Sequence, residues 1–189
     1  GNMSWNSHTF STMGLFQKVS QLAAWAGKTR GSVVYDSETD PFTNRGLFEK
    51  VKGEANIALI ATTSDGDVFG VYHRVAVTEQ DKNFKDPNVF AFSFESHGRC
   101  ATPQRFVQKE SSSNKACVQY YMNSRFGFVC IHGRQTVFNI GNTNSNCVCY
   151  NVSNLFSGLQ DTTLVGTNSQ SDTRPPYHRC TRVVAVQLK

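Results

Sequence analysis

Cysteine and histidine are the side chains here best suited to chemistry, and three places bring them close together. Cys130-Ile131-His132 and Cys147-Val148-Cys149 each set two metal-ligating side chains two residues apart. Alternate residues of a strand share a face, so Cys130 falls with His132 and Cys147 with Cys149. Four nitrogen and sulfur ligands would make a tetrahedral zinc set. Structural zinc sites, however, usually separate paired cysteines by two to four residues across a turn, and buried reduced cysteine is the more ordinary role. No metal site is assigned. The third place is Cys180, which follows His178 and Arg179. A thiol senses oxidants when it is exposed and nearby positive charge stabilises its thiolate. Cys180 therefore leads the redox-sensitive candidates, with Cys147 and Cys149 behind it.

Ser64-Asp65-Gly66-Asp67 carries the acids of a calcium loop but not their order. That loop needs Gly at its sixth position and a closing Glu. Here Gly66 comes directly after Asp65, and Ala76 stands where the Glu belongs. Asp and Gly tolerate the positive φ of a tight hairpin, so both carboxylates read as solvated turn formers. Gly27-Lys28-Thr29 resembles the end of a phosphate-binding loop, yet Leu22 occupies the position of its first Gly and the preceding segment is helical. Dinucleotide, nucleophile-elbow, zinc-protease and kinase motifs are missing. No spacing ties His73, His97, His132 or His178 to a nucleophile, although such sites assemble only in space. No catalytic residue and no cofactor is assigned.

Charge divides the chain. Residues 1–98 hold 9 Lys+Arg and 11 Asp+Glu, whereas residues 99–189 hold 10 and 3. A basic second half favours acidic partners: nucleic acid, anionic lipid or an acidic protein face. Arg99, Arg105, Lys109, Arg174, Arg179 and Arg182 are the candidate contacts, with Phe106 and Tyr177 available for stacking on bases. No DNA- or RNA-binding motif accompanies them.

These residues must be positioned by a β-rich scaffold. The 17% of charged residues among 189 suits one globular domain with a full core. Gly1-Asn2 ahead of Met3 reads as a cloning remnant, leaving one domain over 3–189. The start lacks the features of a secretion leader and no run is long enough to span a bilayer, so an intracellular protein, cytoplasmic or nuclear, is expected. Leu15, Val19, Leu22, Ala23 and Ala26 share one face of a helix over about 11–27, capped by Ser11 or Thr12 and ended by Gly27. A second helix is predicted over 41–53, with Leu47, Phe48 and Val51 inward. Strands are expected at 32–37, at 56–63 (covered on both faces), in the run returning from the Asp-Gly turn, and at 89–94, where Phe90, Phe92 and Phe94 alternate. Four short strands follow between about 116 and 152, with a helical turn near 153–159 and a last strand over 179–188. The expected fold is α+β and β-dominated, a two-layer antiparallel β-sandwich with a few helices.

Three segments, "WAGKTRGSVVYDSETDPFTNRGLFEKVKG", "NIALIATTSDGDVFGVY" and "NVFAFSF", together resemble the TLDc family. The matching positions are Tyr35, Asp36 and Ser37, then Phe42 and Phe48, Asp65 to Gly70, and Phe90 to Phe94. The match is good over residues 25–95 and fades beyond. Val71 replaces the family's usual second Gly, the "FGG" and "LWL" segments are absent, and "AVQL" stands where an aromatic ending is common, so the chain resembles a divergent member. The resemblance implies the same helix-flanked sandwich, a role in oxidative-stress resistance and, in several members, contact with the vacuolar proton pump. It implies no catalytic mechanism. The leading expectation is a non-enzymatic module acting by protein–protein contact in oxidative-stress response. The alternative is a DNA-binding regulator using the basic half with redox control through Cys180, and the third is an enzyme with a spatially assembled Cys/His site.

Overall fold

Strand formation here follows from where the apolar side chains can go. In the computed structural model, which describes residues 13–112, 115–142, 147–165 and 179–189, the strands form two antiparallel sheets. The first contains β1 (Gly31–Asp36), β2 (Ile57–Thr63), β3 (Val68–His73), β5 (Phe90–Glu95), β6 (Gln104–Val107) and β11 (Cys180–Leu188). Its order is β1-β11-β2-β3-β5-β6. The second contains β4 (Phe84–Lys85), β7 (Cys117–Tyr120), β8 (Val129–Gly133), β9 (Thr136–Ile140) and β10 (Val148–Tyr150), in the order β10-β9-β8-β7-β4. The α+β sandwich expected from the sequence is the observed fold.

The six-stranded sheet is covered on both faces. Ile57, Leu59 and Ala61 of β2 join the core between the sheets, where Phe69 meets Phe138 edge-on at 6.0 Å. Ala58 and Ile60 point the other way, into a cluster with Phe90, Phe92 and Phe94. Helix α1 (Leu15–Trp25) closes that outer cluster, with Leu22 and Ala23 buried and Trp25 stacked on Phe94 at 5.8 Å. A strand whose two faces are both buried has little reason to alternate polar with apolar. That explains the unbroken apolar run of β2.

Helix α1 has Gly14 as its N-cap and no side-chain cap bond; Ser11 and Thr12 lie outside the described residues. Gly27 ends it with φ at 68°, its N–H reaching Ala24 O. Helix α2 (Asn44–Val51) is capped by Thr43, whose hydroxyl accepts from Gly46 N at 2.9 Å, and it buries Leu47, Phe48 and Val51. A 3-10 turn at Val152–Asn154 supplies the expected helical turn.

Two strands fall where the sequence gives polar or basic loops. Both β4 and β6 end their sheets with one neighbouring strand, so their patterning is weak. Gly70 leaves room for its neighbours in β2 and β5: a Cβ there would overlap the Leu59 carbonyl oxygen and stand 2.6 Å from Phe92 Cζ. No helix among the described residues is long and apolar enough to cross a membrane.

Candidate functional site

The Asp-Gly bend joins β2 to β3 as a hairpin, with Gly66 at φ 85° and Thr63 N bonded to Asp67 O. Its two acids part company. Asp65 is exposed, as a turn former should be, but Asp67 is 1% exposed. This corrects the expectation that both are solvated. Asp67 Oδ1 accepts from His97 Nδ1 at 2.6 Å and from Arg99 Nη2 at 2.7 Å. Arg99 also donates to the carbonyls of Thr163 and Leu164. The carboxylate ties the β2–β3 hairpin to the turn between β5 and β6, and burial is tolerable because two donors satisfy it.

The basic candidates are spent in different places. Arg99 serves Asp67. Arg182 grips Asp36 through Nε and Nη2 at 3.1 and 2.6 Å. Arg105 donates to the Trp25 carbonyl at 2.6 Å, with its guanidinium 5.5 Å from the Phe90 ring centre. Lys109 lines a separate cleft beside Ser111 and Arg134. Arg179 is half-buried just ahead of β11, its carbonyl accepting from Ser64 N. Arg174 and Tyr177 lie outside the described residues. Phe106, read from sequence as a stacking platform, is 2% exposed and belongs to the core. Strand alternation turns it inward between Arg105 and Val107.

A cleft of about 390 Å³ opens where the end of α1 meets β3, β5 and β6. Three cations line it, Lys28, Arg74 and Arg105, and no acid does among the described residues. Trp25 and Phe90 supply apolar wall. Tyr72 donates its hydroxyl to Asn56 Oδ1 at 2.7 Å. Burial first and the Asp86 charge second push that hydroxyl's pKa up, while Arg74 pulls it down, so it stays a neutral donor at physiological pH. Gln108 Oε1, also in the wall, is a buried acceptor with no partner among the described residues.

The cysteines are all thiols. Cys147, Cys149 and Cys180 are 0%, 0% and 3% exposed. The hydrogen bond to Cys147, then burial, raise the Cys180 thiol well above its ordinary value, and burial does the same to Cys149. The charge argument that singled out Cys180 as an exposed, acidified thiol therefore does not describe its surroundings, and His178 lies outside the described residues. Among the described histidines, ring nitrogens bond to oxygens: His73 to Val75 O and Tyr120 OH, His97 to Asp67, His132 to Asn83.

Against known families, the model of the TLDc domain matches residues 6–173. The chain belongs to the TLDc domain family. No curated protein matches it. The matched span runs well past residues 25–95, where the sequence resemblance is good, and takes in the whole second sheet. β11 follows that span, yet in this TLDc chain it lies between β1 and β2. Sequence reading missed two of the three cleft cations. Lys28 belongs to the "GKT" that fails as a phosphate loop, and Arg74 directly follows β3; both are in the first half, where acids outnumber bases.

Proposed function

We propose that this TLDc chain is a non-enzymatic module of oxidative-stress response that works by holding an acidic segment of a protein partner in the Lys28–Arg74–Arg105 cleft. The observation that carries the reading is that lining: three cations from separate elements, aromatic wall and no opposing acid among the described residues. A peptide suits it better than a simple anion. Gln108 Oε1 asks for a donor, which a peptide N–H provides. Family resemblance supplies the oxidative-stress setting and the vacuolar proton pump as one partner class.

The test is fluorescence anisotropy with labelled Glu/Asp-rich peptides, length-matched neutral peptides and duplex DNA. Acidic peptides should bind, and Lys28→Glu with Arg74→Glu should weaken binding by about tenfold or more. Equal affinity for parent and variant would remove the cleft from the account. DNA binding that falls steeply with salt, while peptides fail, would favour the DNA-binding alternative. Sustained turnover of hydrogen peroxide or of a simple ester by the purified chain would replace a binding role with an enzymatic one.

A further inference from the structure

Cys147 and Cys180 come from opposite sheets. Cys147 directly precedes β10 of the five-stranded sheet and Cys180 is the first residue of β11 in the six-stranded one. Their sulfurs stand 3.2 Å apart, although 33 positions separate them in sequence. A disulfide needs about 2.05 Å between sulfurs, so roughly 1 Å of approach, shared by two side-chain rotations, would close the bond. Exposure alone would have favoured Cys100 or Cys117 over the buried pair, and the Cys100 thiol bonds Ser96 Oγ at 3.5 Å rather than a second sulfur.

We infer that Cys147 and Cys180 are a dithiol that hydroperoxides convert to a disulfide, stapling the two sheets of the sandwich together. The chemistry balances in two steps. One thiolate attacks the outer oxygen of the hydroperoxide; the O–O bond breaks, the alcohol (water, for hydrogen peroxide) leaves with a proton, and a sulfenic acid remains. The second thiol attacks that sulfur and expels water, so two thiols are oxidised, one hydroperoxide is reduced, and a dithiol reductant reverses the change. Both cysteines sit at strand ends, where local opening is least costly and gives a small oxidant its access. Burial makes the reaction slow at neutral pH and faster as pH rises, because the thiolate is the nucleophile. This inference does not rest on the peptide cleft.

The test treats the folded chain with hydrogen peroxide, alkylates in denaturant, and maps unreduced peptides by mass spectrometry. The expected result is a Cys147–Cys180 cross-linked peptide, loss of two of the six thiols, and full recovery with dithiothreitol. The urea midpoint of the oxidised chain should rise and return on reduction. Cys147→Ser and Cys180→Ser should each abolish the cross-link, and Cys100→Ser should leave it. Should the serine variants fail to fold, the peptide map of the parent chain still decides. Over-oxidation of either cysteine without a cross-link, a different cysteine pair, or six alkylated thiols after a dose that fully oxidises free cysteine would each overturn the inference.

Discussion

Arg182 holds Asp36 by two charge-assisted hydrogen bonds across 146 positions of sequence, fastening β1 to β11 at the end of the sheet. The side-chain bond to Arg182 is the largest influence on Asp36 and, against some desolvation, holds its carboxyl below its ordinary value.

A carboxylate with a depressed folded pKa stabilises above its unfolded pKa, and that contribution is lost as pH falls through the folded value. Arg182→Ala should cost about 1–2 kcal/mol at neutral pH, discounted because the guanidinium is partly exposed. Urea denaturation at about pH 7 and about pH 3 should show the gap between parent and variant narrowing in acid. An equal gap at both would mean the pair contributes packing rather than charge.

Asp67 and Asp65 should behave differently despite sharing one bend. Asp67→Asn leaves the Arg99 guanidinium without its carboxylate and should cost about 2–4 kcal/mol. Asp65→Asn should stay within about 0.5 kcal/mol of the parent. Thermal melts of the two variants separate the roles, and near-identical melts would mean that Asp67 is effectively solvated.

His73 makes stability fall on mild acidification. Val75 O can only accept, so Nδ1 carries the proton and Nε2 accepts from the Tyr120 hydroxyl at 2.7 Å. Burial lowers the His73 pKa from its ordinary 6.5, and His132 moves the same way. With folded values depressed, the unfolded chain binds protons first. Stability should therefore drop as pH falls below about 6.5, by up to ~1.4 kcal/mol per pH unit for each histidine, and level off below the folded values. A urea midpoint unchanged between about pH 7.5 and 5 would contradict this.

Gly70 and Val71 form a matched pair of tests in β3. Gly70→Ala pushes a methyl into the Leu59 carbonyl and should cost more than about 3 kcal/mol or leave the chain insoluble. Val71→Gly introduces the second Gly that the family resemblance implies, yet Val71 is fully buried here, so a loss of about 2–4 kcal/mol is expected. A Val71→Gly chain as stable as the parent would show that its neighbours collapse to fill the gap.

Periodicity revealed the scaffold apart from the two edge strands β4 and β6. The spacing of Leu15, Val19, Leu22 and Ala26 describes a helix face, and Phe90, Phe92 and Phe94 describe a strand face, because side-chain direction repeats every 3.6 or 2 residues whatever the surroundings. The Asp65-Gly66 hairpin was legible because both residues tolerate positive φ, and the family through the resemblance of the segments between Trp25 and Phe94. What a given charge or thiol does was not. Asp67 is buried because the β5–β6 turn brings His97 and Arg99 to it, and Arg182 reaches Asp36 because β11 enters between β1 and β2. Cys147 meets Cys180, and Lys28 meets Arg74 and Arg105, only once the two sheets and α1 are stacked. Local spacing fixes which face a residue takes, whereas the order of strands in the sheets fixes what lies opposite it.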